Sequence, residues 1–222
     1  MAVMALVLWR SLPHYKQKAG LNYGQLLGSI VSLYIRVPVL RTRALLGALS
    51  FANFSVLWTS MAFLLASPPF GYSEVTIGLF GLVGAAGALM ANKAGRLADQ
   101  GKARLTTSAG LGLLLLSWVP IAWGQHSLIS LIIGIVVLDL AVQAVHVTNQ
   151  SVIYRMMPEA RNRLTAGYMT TYFIGGAFGS LISAAAYQHA GWYAVASAGF
   201  GLCLLNILVW LMGKKFDSVT DK

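Results

Sequence analysis

Polar and apolar positions along the chain alternate in long blocks. Six apolar runs of roughly membrane-crossing length stand out: Ala44–Ala66, Val75–Ala91, Leu105–Trp123, Leu128–Gln150, Leu164–Tyr187 and Trp192–Met212. A helix needs about 20 such residues to cross a bilayer, so the pattern predicts an all-α membrane protein built as a six-transmembrane-helix bundle over residues 44–213. Two earlier segments differ. Met1–Trp9 is apolar but too short to cross, and reads as the remnant of a transmembrane helix. Within Leu21–Val37, Tyr23, Leu26, Leu27, Ile30, Leu33, Tyr34 and Val37 recur at helical spacing, opposite Gly24, Gln25, Gly28, Ser29, Ser32 and Arg36. This amphipathic pattern, flanked by basic residues, predicts a helix lying on the membrane surface within a linker at residues 10–43.

Charge sharpens the picture through its placement. Ser67–Glu74, Gly124–Ser127 and Gln188–Gly191 hold no Lys or Arg, and all 16 cations fall in the other connectors and the termini. Cationic loops stay cytoplasmic, so the linker and the tail at 214–222 are expected in the cytoplasm. Composition agrees. Hydrophobic residues make up 57% and charged residues 10% of the chain, against about 25% charged in soluble domains, which excludes a soluble globular protein and a disordered one. The single cysteine, Cys203, excludes a disulfide scaffold. The net charge of +10 is explained by topology, so no nucleic-acid partner is expected.

Chemistry concentrates on the fourth run. Asp139, Gln143, His146 and Gln150 are spaced by 4, 3 and 4 residues, which puts them on one helix face. A charge at mid-bilayer costs about 2.5–3.5 kcal/mol, so the stripe should face a polar cavity or a partner helix. Asp139 is the candidate proton-coupling or substrate-contacting carboxylate, His146 a second titrating group, and Gln143 and Gln150 hydrogen-bonding groups for substrate or water. The competing reading is that Asp139 and His146 satisfy each other and neighbouring helices. In the first run, Ser50, Asn53, Trp58, Thr59 and Ser60 add polar groups; Asn53 and Ser60 share a face, and Trp58 can stack on an aromatic or cationic substrate. Gly78, Gly81, Gly84 and Gly87 recur every three residues, and Gly175 and Gly179 form a GxxxG followed by Ser183. Small residues let helices approach closely in lipid, either as static packing or as faces that slide.

The loop Gly95-Arg96-Leu97-Ala98-Asp99-Gln100-Gly101-Lys102-Ala103-Arg104 resembles the signature loop of the major facilitator superfamily, one residue shorter between the Asp and the next Gly. Pro158-Glu159-Ala160-Arg161-Asn162-Arg163 is similar to a P-E-x-x-R segment of the same family. The resemblance implies the second half of a twelve-helix fold, of a bacterial drug-efflux-like or uncharacterised kind. Met1–Trp9 would then be the end of helix 6, residues 10–43 the central loop, and the six runs helices 7–12. It further implies that the stripe lines the central cavity from helix 10. The glycine faces of helices 8 and 11 would meet helices 5 and 2 of a missing N-terminal six-helix half. Gly95, Asp99, Arg104, Glu159, Arg161 and Arg163 would form a cytoplasmic latch, Asp99 capping the start of the fifth span.

The expected function is proton-coupled secondary transport of a small organic molecule, by efflux as an antiporter, across a bacterial inner membrane. The partners are substrate, protons, the bilayer and that N-terminal half. The alternatives are a truncated, transport-inactive remnant and an independent six-span protein. No catalytic signature, cofactor motif or metal-ligand set is present in the sequence, so no enzyme, cofactor or metal site is expected.

Overall fold

A computed structural model describes Arg10 and residues 22–89, 91–157 and 160–214, and every element in it is helical. We label α1 Tyr23–Arg36, α2 Pro38–Ala66, α3 Glu74–Ala88, α4 Ala91–Leu97, α5 Ala103–Ala122, α6 Leu128–Met156 and α7 Arg161–Gly213. Together they cover most of each of the six apolar runs. Length and composition alone mark four stretches able to cross a membrane: Pro38–Ala66, Lys93–Gln125, Leu128–Met156 and Arg161–Gly213. The helix at Glu74 is shorter. The stub Met1–Trp9 and the tail beyond Lys214 lie outside the described residues.

The first long helix begins at Pro38, not Ala44, and so takes in part of the expected linker. Val37 is extended (φ −115°, ψ 93°), as a residue before proline prefers, and Pro38 sits at the first helical turn, where no N–H is needed. Arg43, read above as a connector charge, therefore lies inside α2 and is fully buried. Its guanidinium donates to Thr107 Oγ1 at 2.7 Å and Asn149 Oδ1 at 3.1 Å, and lies 5.1 Å from the Trp210 ring centroid.

The 53-residue α7 is two arms. The break is at Ala190 (φ −146°, ψ 20°) and Gly191 (φ 67°, ψ −155°), a left-handed backbone that glycine adopts without steric cost. In the first arm Gly175 meets Ala48, Gly179 meets Ala52, and Ser183 donates to the Val56 carbonyl at 2.6 Å. Both numberings rise together, so this arm runs with α2. In the second arm Cys203 meets Asn53, Asn206 meets Ser50, and Gly213 meets Thr42. Here one numbering falls as the other rises, so the chain has turned back. A second reversal occupies Ala98–Lys102, where Gly101 has φ 78°. Before it, Gly84 lies against Asp139 and Gly95 against Val147; after it, Gly110 lies against Val145 and Ile121 against Gly134.

These alternating directions bring every described Lys and Arg from Arg36 onward to one end of the bundle. The opposite end is made by Ser67–Ser73, Trp123–Ser127 and Ala190–Gly191. There Trp192 Nε1 donates to the Ile121 carbonyl at 2.7 Å and His126 meets the Tyr193 hydroxyl at 3.0 Å. The main core, around Leu57, Leu114, Trp118, Leu131, Ile135 and Val195, fills the half of the bundle nearer that end. A second cluster around Leu40, Ile153, Leu164 and Tyr168 seals the basic half.

The amphipathic segment is α1, at the basic end. Its Tyr34 hydroxyl bonds Thr171 at 2.7 Å, and Ile30 and Tyr34 cover Gly167 on the first arm of α7. Burial holds the Tyr34 hydroxyl above its ordinary pKa because a phenolate would lose its water there. Leu27, Val31 and Ile35 stay exposed on a second side of the helix.

Candidate functional site

α2, α3, α6 and the first arm of α7 line a half-open cavity of about 370 Å³. Asp139 on α6 contributes its carboxylate and is only 4% exposed. Its Oδ1 accepts a hydrogen bond from Trp58 Nε1 of α2 at 3.2 Å. A Cβ added at Gly84 of α3 would collide with the Asp139 carboxylate and the Trp58 ring, so the absence of a side chain at Gly84 makes room for the pair. Gln143, one turn along α6, lines the same space.

The remaining wall is aromatic. Phe51 stacks on Tyr172 with centroids 4.2 Å apart, Phe51 and Phe54 are 5.5 Å apart, and Phe54 and Trp58 are 5.7 Å apart. Phe51, Phe54 and Tyr172 were not among the sequence candidates, although the spacing of Phe51, Phe54 and Trp58 places all three on one face of α2. An aromatic wall with one carboxylate and one amide can hold a molecule by stacking while offering an acceptor for a cation or donor.

The predicted stripe is divided by its surroundings. Asp139 and Gln143 face the cavity. His146 turns to the first arm of α7, with Nδ1 3.0 Å from the Tyr168 hydroxyl and its ring 4.6 Å from that of Tyr172. Among the described residues, Gln150 reaches only Met169 Sδ, at 4.0 Å. Asn53 is a correction: it lies in the packed core, not the cavity. Its Oδ1 accepts from Trp118 Nε1 at 2.9 Å and Cys203 Sγ at 3.1 Å, and its Nδ2 donates to the Leu49 carbonyl at 2.9 Å. Those bonds occupy its amide, because an unpaired polar group in the core is costly.

The glycines also divide. Gly81 and Gly84 line the cavity, and nothing stands within 4 Å of a Cβ at Gly78. Gly87 is helical, and its surroundings lie outside the described residues. Gly175 and Gly179 are a second correction. They close on the α2 backbone of this same chain, at Ala48 and Ala52, and not on a missing helix 2. Ser183 continues that seam to Val56 and Ser60.

Among the described residues, the basic-end loops hold part of the expected arrangement. The Asp99 carboxylate accepts from Arg155 at 2.6 Å and Ser151 Oγ at 2.7 Å, both at the end of α6. Among the described residues it caps none at the start of the fifth run, a third correction: α4 packs along α6, and Asp99 emerges beside the last turns of α6. Those two hydrogen bonds hold Asp99 below the usual carboxylate range. Gly95 lets α4 approach Val147 of α6. Arg104 donates to the Lys214 carbonyl at 3.1 Å, Arg161 lies 5.3 Å from the Tyr154 ring centroid, and Arg163 is half-buried. Glu159 is outside the described residues.

Long apolar helices, cations gathered at one end and a carboxylate-bearing cavity in the apolar middle define a membrane-integral protein with a ligand-sized site. The chain belongs to the Major Facilitator Superfamily, which it matches over residues 43–222. It is 66% identical over 213 residues to "Uncharacterized transporter YgaY" of Escherichia coli O157:H7, covering 96% of this chain and 54% of that protein. It is 33% identical over 207 residues to "Probable transporter SCO4007" of Streptomyces coelicolor, covering 91% of this chain and 47% of that protein. The chain thus spans about half the length of the curated relatives it matches. No solved structure matches it significantly.

Proposed function

We propose that this chain forms one six-span half of a secondary transporter, and that the Asp139 cavity is its share of a central binding site for a small organic molecule. The observation that carries this reading is the placement of Asp139: a carboxylate held in the apolar middle of the bundle, bonded to one indole and facing a cavity rather than a basic partner. Ionisable groups in such places mark substrate or proton pathways. The two arms of α7 each cross once, and α3 with α4 makes the remaining crossing, giving six. The basic end faces the cytoplasm of a bacterial inner membrane. Asp139 takes up and releases the coupling proton, and Gln143, Trp58 and the phenyl rings hold the substrate. Export against entering protons is the direction that the drug-efflux resemblance supports. The role is that of a carrier and not of an enzyme.

The Asp99–Arg155–Ser151 contact acts as a basic-end latch between α4 and α6, made and broken as the halves rock. An inert remnant is the competing reading. The match to relatives named as transporters supports the carrier.

Proton-driven uptake into vesicles tests the proposal, with the chain co-expressed with the part of YgaY outside the matched region. Asp139→Asn keeps the shape and the indole bond but removes the titrating group. Gradient-driven uptake should fall to background while substrate binding persists. Uptake unchanged in Asp139→Asn removes the proton role, and no uptake in any form returns the remnant reading.

A further inference from the structure

A second cavity, of about 690 Å³, lies at the basic end between α5 and the second arm of α7. It belongs to neither the Asp139 site nor the Asp99 contact. Its lining is layered along the helix axes. Arg104, in the first turn of α5, and Lys214, at the end of α7, stand at the outer level. One turn deeper, Trp210 Nε1 donates to Ser108 Oγ at 2.9 Å, which leaves the Ser108 hydroxyl proton free to donate. Leu211 lies at about the level of Trp210, deeper again the walls are Leu111 and Ile207, and Gly112 leaves the space open, with nothing within 4 Å of a Cβ there. Leu105, Leu116, Leu208 and Met212 continue the exposed apolar surface on both sides.

We propose that this groove binds an anionic phospholipid. The phosphate sits between Arg104 and Lys214, the Ser108 hydroxyl donates to an ester carbonyl, and an acyl chain lies along Leu111 and Ile207 over Gly112. Charge complementarity at the outer level and apolar walls directly beneath it select a molecule that carries both, and basic pockets between spanning helices on the cytoplasmic side bind such headgroups. The inference requires only that α5 and α7 lie in a bilayer. It is independent of whether the protein transports.

The test is thermal unfolding of the full chain in neutral detergent, titrated separately with phosphatidylglycerol, phosphatidylcholine and inorganic phosphate at constant ionic strength. Phosphatidylglycerol should raise the midpoint saturably, and the other two should not. Lys214→Gln, which keeps the backbone carbonyl that Arg104 uses, should weaken the apparent affinity about fivefold. Gly112→Leu fills the groove without changing charge, and its added side chain enters open space. It should abolish the saturable response in a chain that still folds. Equal stabilisation by phosphatidylcholine means an unselective apolar groove, and stabilisation by inorganic phosphate alone means a free-anion site. Either result overturns the proposal, as does an unchanged response in Gly112→Leu.

Discussion

The seam between α2 and the first arm of α7 gives a prediction whose size follows from the structure. A Cβ at Gly179 would meet the backbone of Ala52. Backbone cannot rotate away as a side-chain tip can, so Gly179→Ala must push the helices apart and strain the Ser183 bonds to Val56 and Ser60 one turn on. Inserting a methyl into a filled interface costs about 1–3 kcal/mol. The same substitution gains about 1 kcal/mol in helix propensity, which would blur the result if measured alone. Gly201→Ala supplies the control. Gly201 is helical, on the second arm of α7, and nothing lies within 4 Å of its Cβ. The propensity gain is common to both variants and cancels in their difference. Unfolding of the two proteins in mixed micelles, followed by circular dichroism, should therefore place Gly179→Ala about 1–3 kcal/mol below Gly201→Ala. Equal stabilities would refute the inferred close approach of α7 to α2.

Three further outcomes follow. Trp58→Phe keeps a ring on the cavity wall but removes the donor to Asp139. It should cost about 1.5–3 kcal/mol if that carboxylate is charged, read by chemical denaturation. Arg43→Gln removes the fork held by Thr107, Asn149 and the Trp210 ring, and should destabilise by about 1.5–3 kcal/mol, lowering the midpoint more than an exposed cationic substitution such as Arg41→Gln. Asp99 has a depressed pKa in the folded chain, so its contribution is present above its unfolded value near 4 and is lost as pH falls through the folded one. Being largely exposed, the pair is worth at most about 1 kcal/mol. Asp99→Asn should remove this acid dependence below about pH 4, and high salt should shrink it at neutral pH.

The helices and their reversals were largely legible. Apolar length located the helices, and Gly101 and Gly191 fall where the backbone turns through a positive φ. The stripe on α6 was legible because a carboxylate among apolar residues demands a polar neighbour. Other features were not, because periodicity gives a residue's face but not its partner. Arg43 reads as a connector charge until Thr107, Asn149 and Trp210, from distant parts of the chain, are brought around it. Gly175 and Gly179 announce a close helix contact equally well for a neighbour within the chain or beyond it. Asn53 and Trp58 lie five residues apart on one helix, yet one faces the core and the other the cavity. Phe51 and Phe54 give no signal of their own, because phenylalanine in an apolar run has the same signature in a wall as in a core.

The most direct test of the account is water access to the Asp139 cavity. In a Cys203→Ser background, which leaves no native thiol, a single cysteine is placed at Gln143, beside Asp139. A second is placed at Leu116, which is 63% exposed on the outer face of α5. A small, charged thiol reagent is then applied to each protein in lipid vesicles. Gln143→Cys should react and Leu116→Cys, surrounded by acyl chains, should not. Reaction at Leu116→Cys with none at Gln143→Cys would contradict it.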